Sequence, residues 1–220
     1  MEWREADGVR WLAAELPGAT AVFSGRSAGS LKDGHRHLAS ALGLAPDRIV
    51  AGRQVHGAEL AFPDGATAPA PAPEADGQVL SRPGLAGLVY TADCLPVALA
   101  GPGGAAILHC GWRGLAAGIV ERGAGAVEAR AAVIGPGIGP CCYEVGDEVL
   151  DRFTGLGDGI ASGRMLDLTE VARRLLRRGG VEAIEVAGLC TCCEEELFFS
   201  HRRDGGPGRQ GGLAWLDEGA

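Results

Sequence analysis

Lysine is almost missing from this chain: of its 20 basic residues only Lys32 is a lysine, and the rest are arginine. A lysine Schiff base or lysine general base is thereby nearly excluded, and anions will be met by guanidinium forks. A basic excess is missing too. At a formal net charge of −8, the chain lacks the clustered positive charge that a nucleic-acid surface needs. No apolar run is long and clean enough to span a bilayer. The longest, Gly84 to Gly101, carries Asp93 and Pro96 and is mostly glycine and alanine. The first residues, Met1-Glu-Trp-Arg-Glu5, are acidic and show no signal-peptide pattern. The expectation is a cytoplasmic protein that binds neither nucleic acid nor membrane and needs no obligate protein partner. Histidine is scarce as well, at 5 residues, too few for a multicopper centre.

What is present suits a folded domain. A hydrophobic content of 46% over 220 residues supports one good core without staples, so residues 1–220 are read as a single domain. The seven cysteines (94, 110, 141, 142, 190, 192 and 193) are odd in number and include two adjacent pairs. They read as reduced thiols rather than a disulfide framework.

The 37 glycines and 12 prolines punctuate short apolar runs. Ala21–Ser24, parts of Ile49–Phe62, Gln78–Leu80, Gly87–Thr91, Pro96–Ala100, Ala105–His109, Ala131–Ile134, Glu182–Ala187 and Leu197–Ser200 have strand length and pattern. Helical spacing predicts segments from Asp33 to Gly43, Trp112 to Ala129, Glu144 to Phe153 and Asp167 to Arg178. The last opens on Asp167-Leu-Thr-Glu170, a capping-box pattern. Pro63 to Glu74 reads as a surface loop. The fold class is α/β (α+β), with layered mixed β-sheets flanked by helices.

Among the histidines, His35 and His37 fall on a solvated helix turn. His56, Cys94 and His109 differ, because each ends a strand candidate beside a turn-forming residue. Such positions let side chains converge on a pocket. Two imidazoles and a thiolate suit zinc with one position left open. Their separations match no compact metal finger, and the same residues also support Cys94 as a nucleophile with His109 or His56 as its base. The spacing leaves both readings open. Cys110, Cys141, Cys142, Cys190, Cys192 and Cys193 invite a second-metal reading, above all at Cys190-Thr-Cys-Cys193, but they complete no four-ligand set at customary spacing and read as small buried or structural thiols.

Five blocks carry a resemblance. Gln54-Val-His-Gly57, Thr91-Ala-Asp-Cys-Leu-Pro-Val97, His109-Cys-Gly-Trp-Arg-Gly114, Gly135-Pro-Gly-Ile-Gly-Pro-Cys-Cys-Tyr-Glu-Val145 and Phe198-Phe-Ser-His-Arg-Arg-Asp-Gly205 stand in this order. Together they resemble the YfiH/YlmD family, also called the laccase-domain or multicopper polyphenol oxidase family, over roughly Ala21 to Leu216. The resemblance implies zinc held by His56, Cys94 and His109. It also implies cleavage of purine nucleosides by phosphate (adenosine, inosine, guanosine or methylthioadenosine) to base and pentose 1-phosphate, with adenosine deamination as a side reaction. Copper-dependent phenol oxidation at the same site, or a cysteine hydrolase editing peptidoglycan, are the alternatives. The chain departs from the family pattern between Gly25 and Gly34, where one glycine and an asparagine are missing although Arg26 is retained.

On this reading Cys94, His109, Asp93 and Arg113 are the catalytic residues. Arg113, with Arg26 and Arg202, would receive phosphate, helped by the amides of the helix that Trp112 opens. Asp93 would steer an imidazole or protonate the departing base. Gly135 to Pro140 is a rigid turn on the pocket wall, because its prolines remove amides that a nucleotide loop would need. Trp112 and Tyr143 could stack on a purine, though core packing is their commoner role.

Overall fold

The computed structural model describes residues 1–65 and 71–219. Its strands are β1 (Glu2–Ala6), β2 (Val9–Leu16), β3 (Ala19–Ser24), β4 (Ile49–Ala51), β5 (Leu60–Ala61), β6 (Gly77–Leu80) and β7 (Ala86–Thr91). They continue with β8 (Leu95–Gly101), β9 (Gly104–Cys110), β10 (Ala131–Ile134), β11 (Ala161–Ser162), β12 (Met165–Leu166), β13 (Ala183–Val186) and β14 (Gln210–Leu216). The helices are α1 (Arg36–Leu42), α2 (Trp112–Ala116), α3 (Ile119–Val127), α4 (Asp147–Leu150), α5 (Leu168–Arg178) and α6 (His201–Asp204).

Two mixed six-stranded sheets carry the structure, ordered β1-β2-β3-β14-β7-β4 and β13-β10-β8-β9-β6-β5. Strand side chains alternate between faces, and β8 and β9 use both. Leu95, Val97, Leu99, Ala106 and Leu108 pack among residues of α3 and α5. Ala98, Ala100, Ala105 and Ile107 pack instead against Leu12, Phe23 and Val89 of the other sheet. α1 covers that sheet's outer face, with Leu38 and Ala39 beside Trp11, Val22 and Leu88. The result is a helix–sheet–sheet–helix layering, which explains why the central strands read as continuous apolar runs. Among the described residues, no helix is long and apolar enough to cross a membrane.

Several expectations need correction. The predicted helix from Asp33 starts at Arg36, because Asp33 donates its amide to Ser30 O in a turn instead of capping. The Trp112–Ala129 helix breaks into α2 and α3 at Gly118, whose φ of +87° turns the chain out of helix. Glu144–Phe153 contains only the single turn α4, followed by a 3₁₀ stretch at Asp151–Leu156. Leu197–Ser200 is not a strand; there the Phe199 amide and carbonyl bond the Gln210 side chain at 2.8 and 3.0 Å. The unpredicted strands β1, β2 and β14 complete the first sheet, and β14 lies between β3 and β7. The Pro63–Glu74 loop is irregular where described, and residues 66–70 with Pro69 lie outside the described residues.

α5 begins as the sequence predicts. The Asp167 carboxylate accepts the Glu170 amide at 2.9 Å, filling one of the helix's orphan donors. Asp167→Ala is expected to lower stability by about 1 kcal/mol. Urea denaturation checks this as a lower midpoint with unchanged slope.

Candidate metal centre and its cavity

Two strand ends and one turn build the site; His56, expected at a strand end, lies instead in the turn between β4 and β5. β8 and β9 pair antiparallel with Pro96 opposite His109 and Leu95 opposite Cys110. Continuing that register past the strand ends sets Cys94 opposite Gly111, one pleat from His109 and on the same face. The lack of a side chain at Gly111 is what leaves room. A Cβ there would lie 2.9 Å from Cys94 Sγ and 3.3 Å from His56 Cδ2.

His56 arrives from the turn at Val55–Gly57, where its own φ is +62°. A residue other than glycine is held in that region only when its surroundings fix it. Asp76, fully buried just before β6, does so. Its carboxylate accepts the amides of Val55, His56 and Gly57 at 3.1, 3.0 and 2.8 Å. It also accepts His109 Nδ1–H at 2.8 Å. The four lone-pair directions of a carboxylate are thereby matched by four donors. Burial alone would push the Asp76 carboxyl up, but the bonds from His109, Val55 and Gly57 outweigh it and hold it below the usual range. The Asp76 carbonyl in turn accepts the His109 amide at 2.7 Å.

Ligand atoms of His56, Cys94 and His109 all lie within 4.8 Å of one another. The two rings meet edge to face at 4.8 Å. Exposure is graded, from buried His109 through half-buried Cys94 to exposed His56, so the cluster opens at one end. A carboxylate on Nδ1 leaves His109 Nε2 as the free nitrogen, which is how metal-ligating histidines are commonly oriented. The residues fit a metal on three counts: converging donors, a fixed tautomer and a glycine cradle. Without metal, burial would push the Cys94 thiol up, yet His109 and His56 bring it down to about 6. For His109, burial would lower the pKa, but Cys94 and Asp76 raise it to about 9. The metal-free pair is therefore thiolate and imidazolium at neutral pH.

Beside the cluster lies a cavity of about 470 Å³ that reaches Asp93, Arg113 and Arg202. Arg113 is exposed, stacks over Trp112 at 4.4 Å and has no ion-pair partner among the described residues. Its helix, α2, is barely one turn, so anion contact falls to the guanidinium rather than to helix amides. The Arg202 guanidinium donates to the carbonyls of Cys142 and Glu144 at 3.0 and 3.1 Å and lies 5.3 Å from the Tyr143 ring centre.

Arg26 is not brought to the cavity. It pairs with Asp204 at 3.2 Å and covers the Phe199 ring at 4.7 Å, which is packing between the first sheet and the C-terminal segment. Asp93 does not steer an imidazole, because Asp76 holds that place. The Asp93 carboxylate accepts Thr191 Oγ1–H and the Arg202 amide, both at 2.7 Å. His35 is half-buried and His37 exposed, each with Nε2 on a backbone carbonyl. Sequence reasoning missed Asp76, and also Lys32, His201 and Arg209, which line the cavity. The signal for Asp76 was the Glu74-Ala-Asp-Gly77 run directly before a strand, where a buried carboxylate needs donors.

The family model described as multi-copper polyphenol oxidoreductase laccase matches residues 22–217. A Xylella fastidiosa protein named purine nucleoside phosphorylase is 40% identical over 183 residues, covering 74% of this chain and 70% of its own. Escherichia coli purine nucleoside phosphorylase YfiH is 37% identical over 190 residues, covering 80% and 77%. The crystal structure of YlmD from Geobacillus stearothermophilus superposes with a TM-score of 0.82 at 32% identity, covering 98% of both chains. That of Bacillus licheniformis YfiH gives 0.81 at 30% identity, covering 98% of this chain and 99% of the other. The relatives' names support an enzyme.

Asp76→Asn replaces one acceptor oxygen by an amino group facing amide donors. It is expected to weaken metal binding at the His56–Cys94–His109 cluster by about 10–100-fold, measured by competition with a metal-sensitive dye. In metal-free protein, alkylation of Cys94 should be level between neutral pH and the His109 pKa of about 9, and fall as pH drops through about 6. Mass spectrometry of the Cys94 peptide reads this out; a rate that climbs steadily from neutral pH toward about 9 would refute the thiolate.

Proposed function

The chain belongs to the multi-copper polyphenol oxidoreductase laccase family, and on that premise we propose that it is a zinc-dependent purine nucleoside phosphorylase. Its substrates on this reading are adenosine, inosine, guanosine or methylthioadenosine, with inorganic phosphate. The observation that carries the proposal is the joining of a three-donor cluster to a cavity with both flat and cationic walls. The flat faces of Tyr90, Trp112 and Tyr143 suit a purine, and Arg113 and Lys32 suit an anion.

In the proposed reaction a phosphate oxygen bonds to C1′ of the sugar as the bond from C1′ to the purine nitrogen breaks. The electron pair leaves with the base, which ends with the proton that the attacking hydrogen phosphate gives up. Arg113 neutralises phosphate and holds it in line, and its stacking on Trp112 limits where the guanidinium can sit. His56, Cys94 and His109 would hold the zinc, which when bound would supply a fixed positive charge and Lewis acidity. Asp76 keeps His109 and His56 oriented. Asp93, with both oxygens already accepting hydrogen bonds, fixes the cavity wall through Thr191 and Arg202 and is poorly placed to give a proton. Adenosine deamination, in which water replaces the purine amino group and ammonia leaves, is proposed as a second reaction of the same cavity.

The donor set, two nitrogens and one sulfur, favours zinc over a multicopper oxidase centre, which would need more imidazoles than converge here. A second reading has one observation in its favour: Cys94, His109 and Asp76 form a chain of nucleophile, base and orienting carboxylate. That chain would suit a cysteine hydrolase acting on an amide, such as a peptidoglycan fragment. Chelation separates the two.

Purified protein incubated with adenosine should release adenine only when phosphate is present, and inosine with or without it. Chelation should abolish both products. Amide hydrolysis that survives chelation would favour the thiol reading instead. Arg113→Ala should raise KM for phosphate about 10–100-fold, the loss of one charge-assisted contact, with KM for nucleoside little changed.

A further inference from the structure

The cysteines outside the first cluster do not behave as buried hydrophobes, Cys110 excepted. Cys141 and Cys193 are exposed, and Cys142, Cys190 and Cys192 are half-buried. The fold brings four of them together. Gly137 bridges Cys190 in parallel register, and Thr191 donates its amide to Gly137 O at 3.0 Å. This lays the turn carrying Cys141 and Cys142 against the Cys190-Thr-Cys-Cys193 segment.

The sulfurs of Cys141, Cys142, Cys190 and Cys193 all lie within 4.8 Å of one another. Cys193 Sγ is 3.4 Å from Cys141 Sγ and 3.5 Å from Cys142 Sγ. A tetrahedron of zinc–sulfur bonds has edges of about 3.8 Å, so a cation could draw these atoms into place with small side-chain adjustments. Cys190 and Cys193 have the Cys-x-x-Cys spacing of zinc-binding turns, and Cys192, the odd member, stays outside the group. The Gly139 amide donates to Cys190 Sγ at 3.2 Å, a bond that favours a thiolate. Gly139 is also where the backbone must approach closely. A Cβ there would stand 3.3 Å from both Cys141 Sγ and Cys190 Cβ. The Arg202 guanidinium, which has no ion-pair partner among the described residues, donates to Cys142 O at 3.0 Å and so stands beside the group.

We propose that Cys141, Cys142, Cys190 and Cys193 form a second, closed site that binds one zinc ion through four thiolates. Four sulfur ligands leave no open position, which marks a structural rather than a catalytic site. The ion would tie together two segments of the cavity wall. One carries Ile138 and Tyr143, and the other carries Thr191, which holds Asp93 beside Cys94. The site shares no residue with the His56–Cys94–His109 cluster, so it stands or falls independently of the proposed reaction.

Zinc content settles the matter. Protein prepared under reductant, loaded with zinc and freed of excess, should hold two equivalents per chain. Cys190→Ser/Cys193→Ser should hold one, and His56→Ala/His109→Ala should also hold one. Cobalt loaded into the latter variant should give the intense visible bands of a tetrahedral tetrathiolate. In wild-type protein, zinc should protect all four thiols from a thiol reagent, a readout that needs no variant to fold. The proposal is overturned if His56→Ala/His109→Ala holds no zinc, or if these four thiols react equally fast with and without it. It is equally overturned if the reduced, zinc-loaded protein carries a disulfide among them. Loss of zinc from Cys190→Ser/Cys193→Ser down to none would sink the first centre instead and leave this one standing.

Discussion

One buried carboxylate organises the centre of this protein. Asp76 receives three consecutive amides from the turn that carries His56 and the ring N–H of His109. A buried carboxylate without donors is among the costliest arrangements a fold can contain. With four donors it becomes a rigid node, and loss of any one leaves the others facing an unsatisfied oxygen. The node couples three parts of the chain: the turn after β4, the entry to β6 and the end of β9. His56 can keep its left-handed backbone and His109 its tautomer because both are read against the same group.

The sheets set where this node can sit. Pairing of β6 with β9 puts Gly77 opposite Leu108, which leaves Asp76 and His109 adjacent just past the ladder. Pairing of β8 with β9 puts Cys94 next to the same spot. Since both faces of β8 and β9 are packed, Cys94 and His109 occupy the strand ends, where the apolar layers stop, and His56 reaches them from a turn. The charge pattern follows a similar logic. The whole chain is acidic, yet Lys32, Arg53, Arg113, Arg202 and Arg209 line one cavity. On the proposed function, that local positive charge inside an acidic chain is what would bring phosphate to the cavity.

Much of this was legible from residue order. His56, Cys94 and His109 stood out because each ended a strand candidate beside a small or turn-forming residue. The central strands and the cap of α5 were equally plain. Asp76 was not, because its importance comes from donors 20 and 33 residues away along the chain, and those meet it only once β6 pairs with β9. The cysteine group was missed for the same reason: its halves lie about fifty residues apart, and neither half alone has four ligands. β1 carries too much charge and too little alternation to announce itself, and β14 hides behind Gly211 and Gly212. Arg26 illustrates the opposite error. Its place in a motif suggested an anion contact, but the nearby Asp204 and Phe199 claim it.

The central claim is geometric: His56, Cys94 and His109 converge on one cation while Asp76 holds His109 from behind. Anomalous diffraction at the zinc absorption edge, from crystals of zinc-loaded protein, tests it most directly. The account predicts a strong peak within bonding distance of a nitrogen of His56, Sγ of Cys94 and Nε2 of His109, with Asp76 still on Nδ1. No peak among these three residues, or a peak that reaches His109 through Nδ1 with Asp76 displaced, would contradict it.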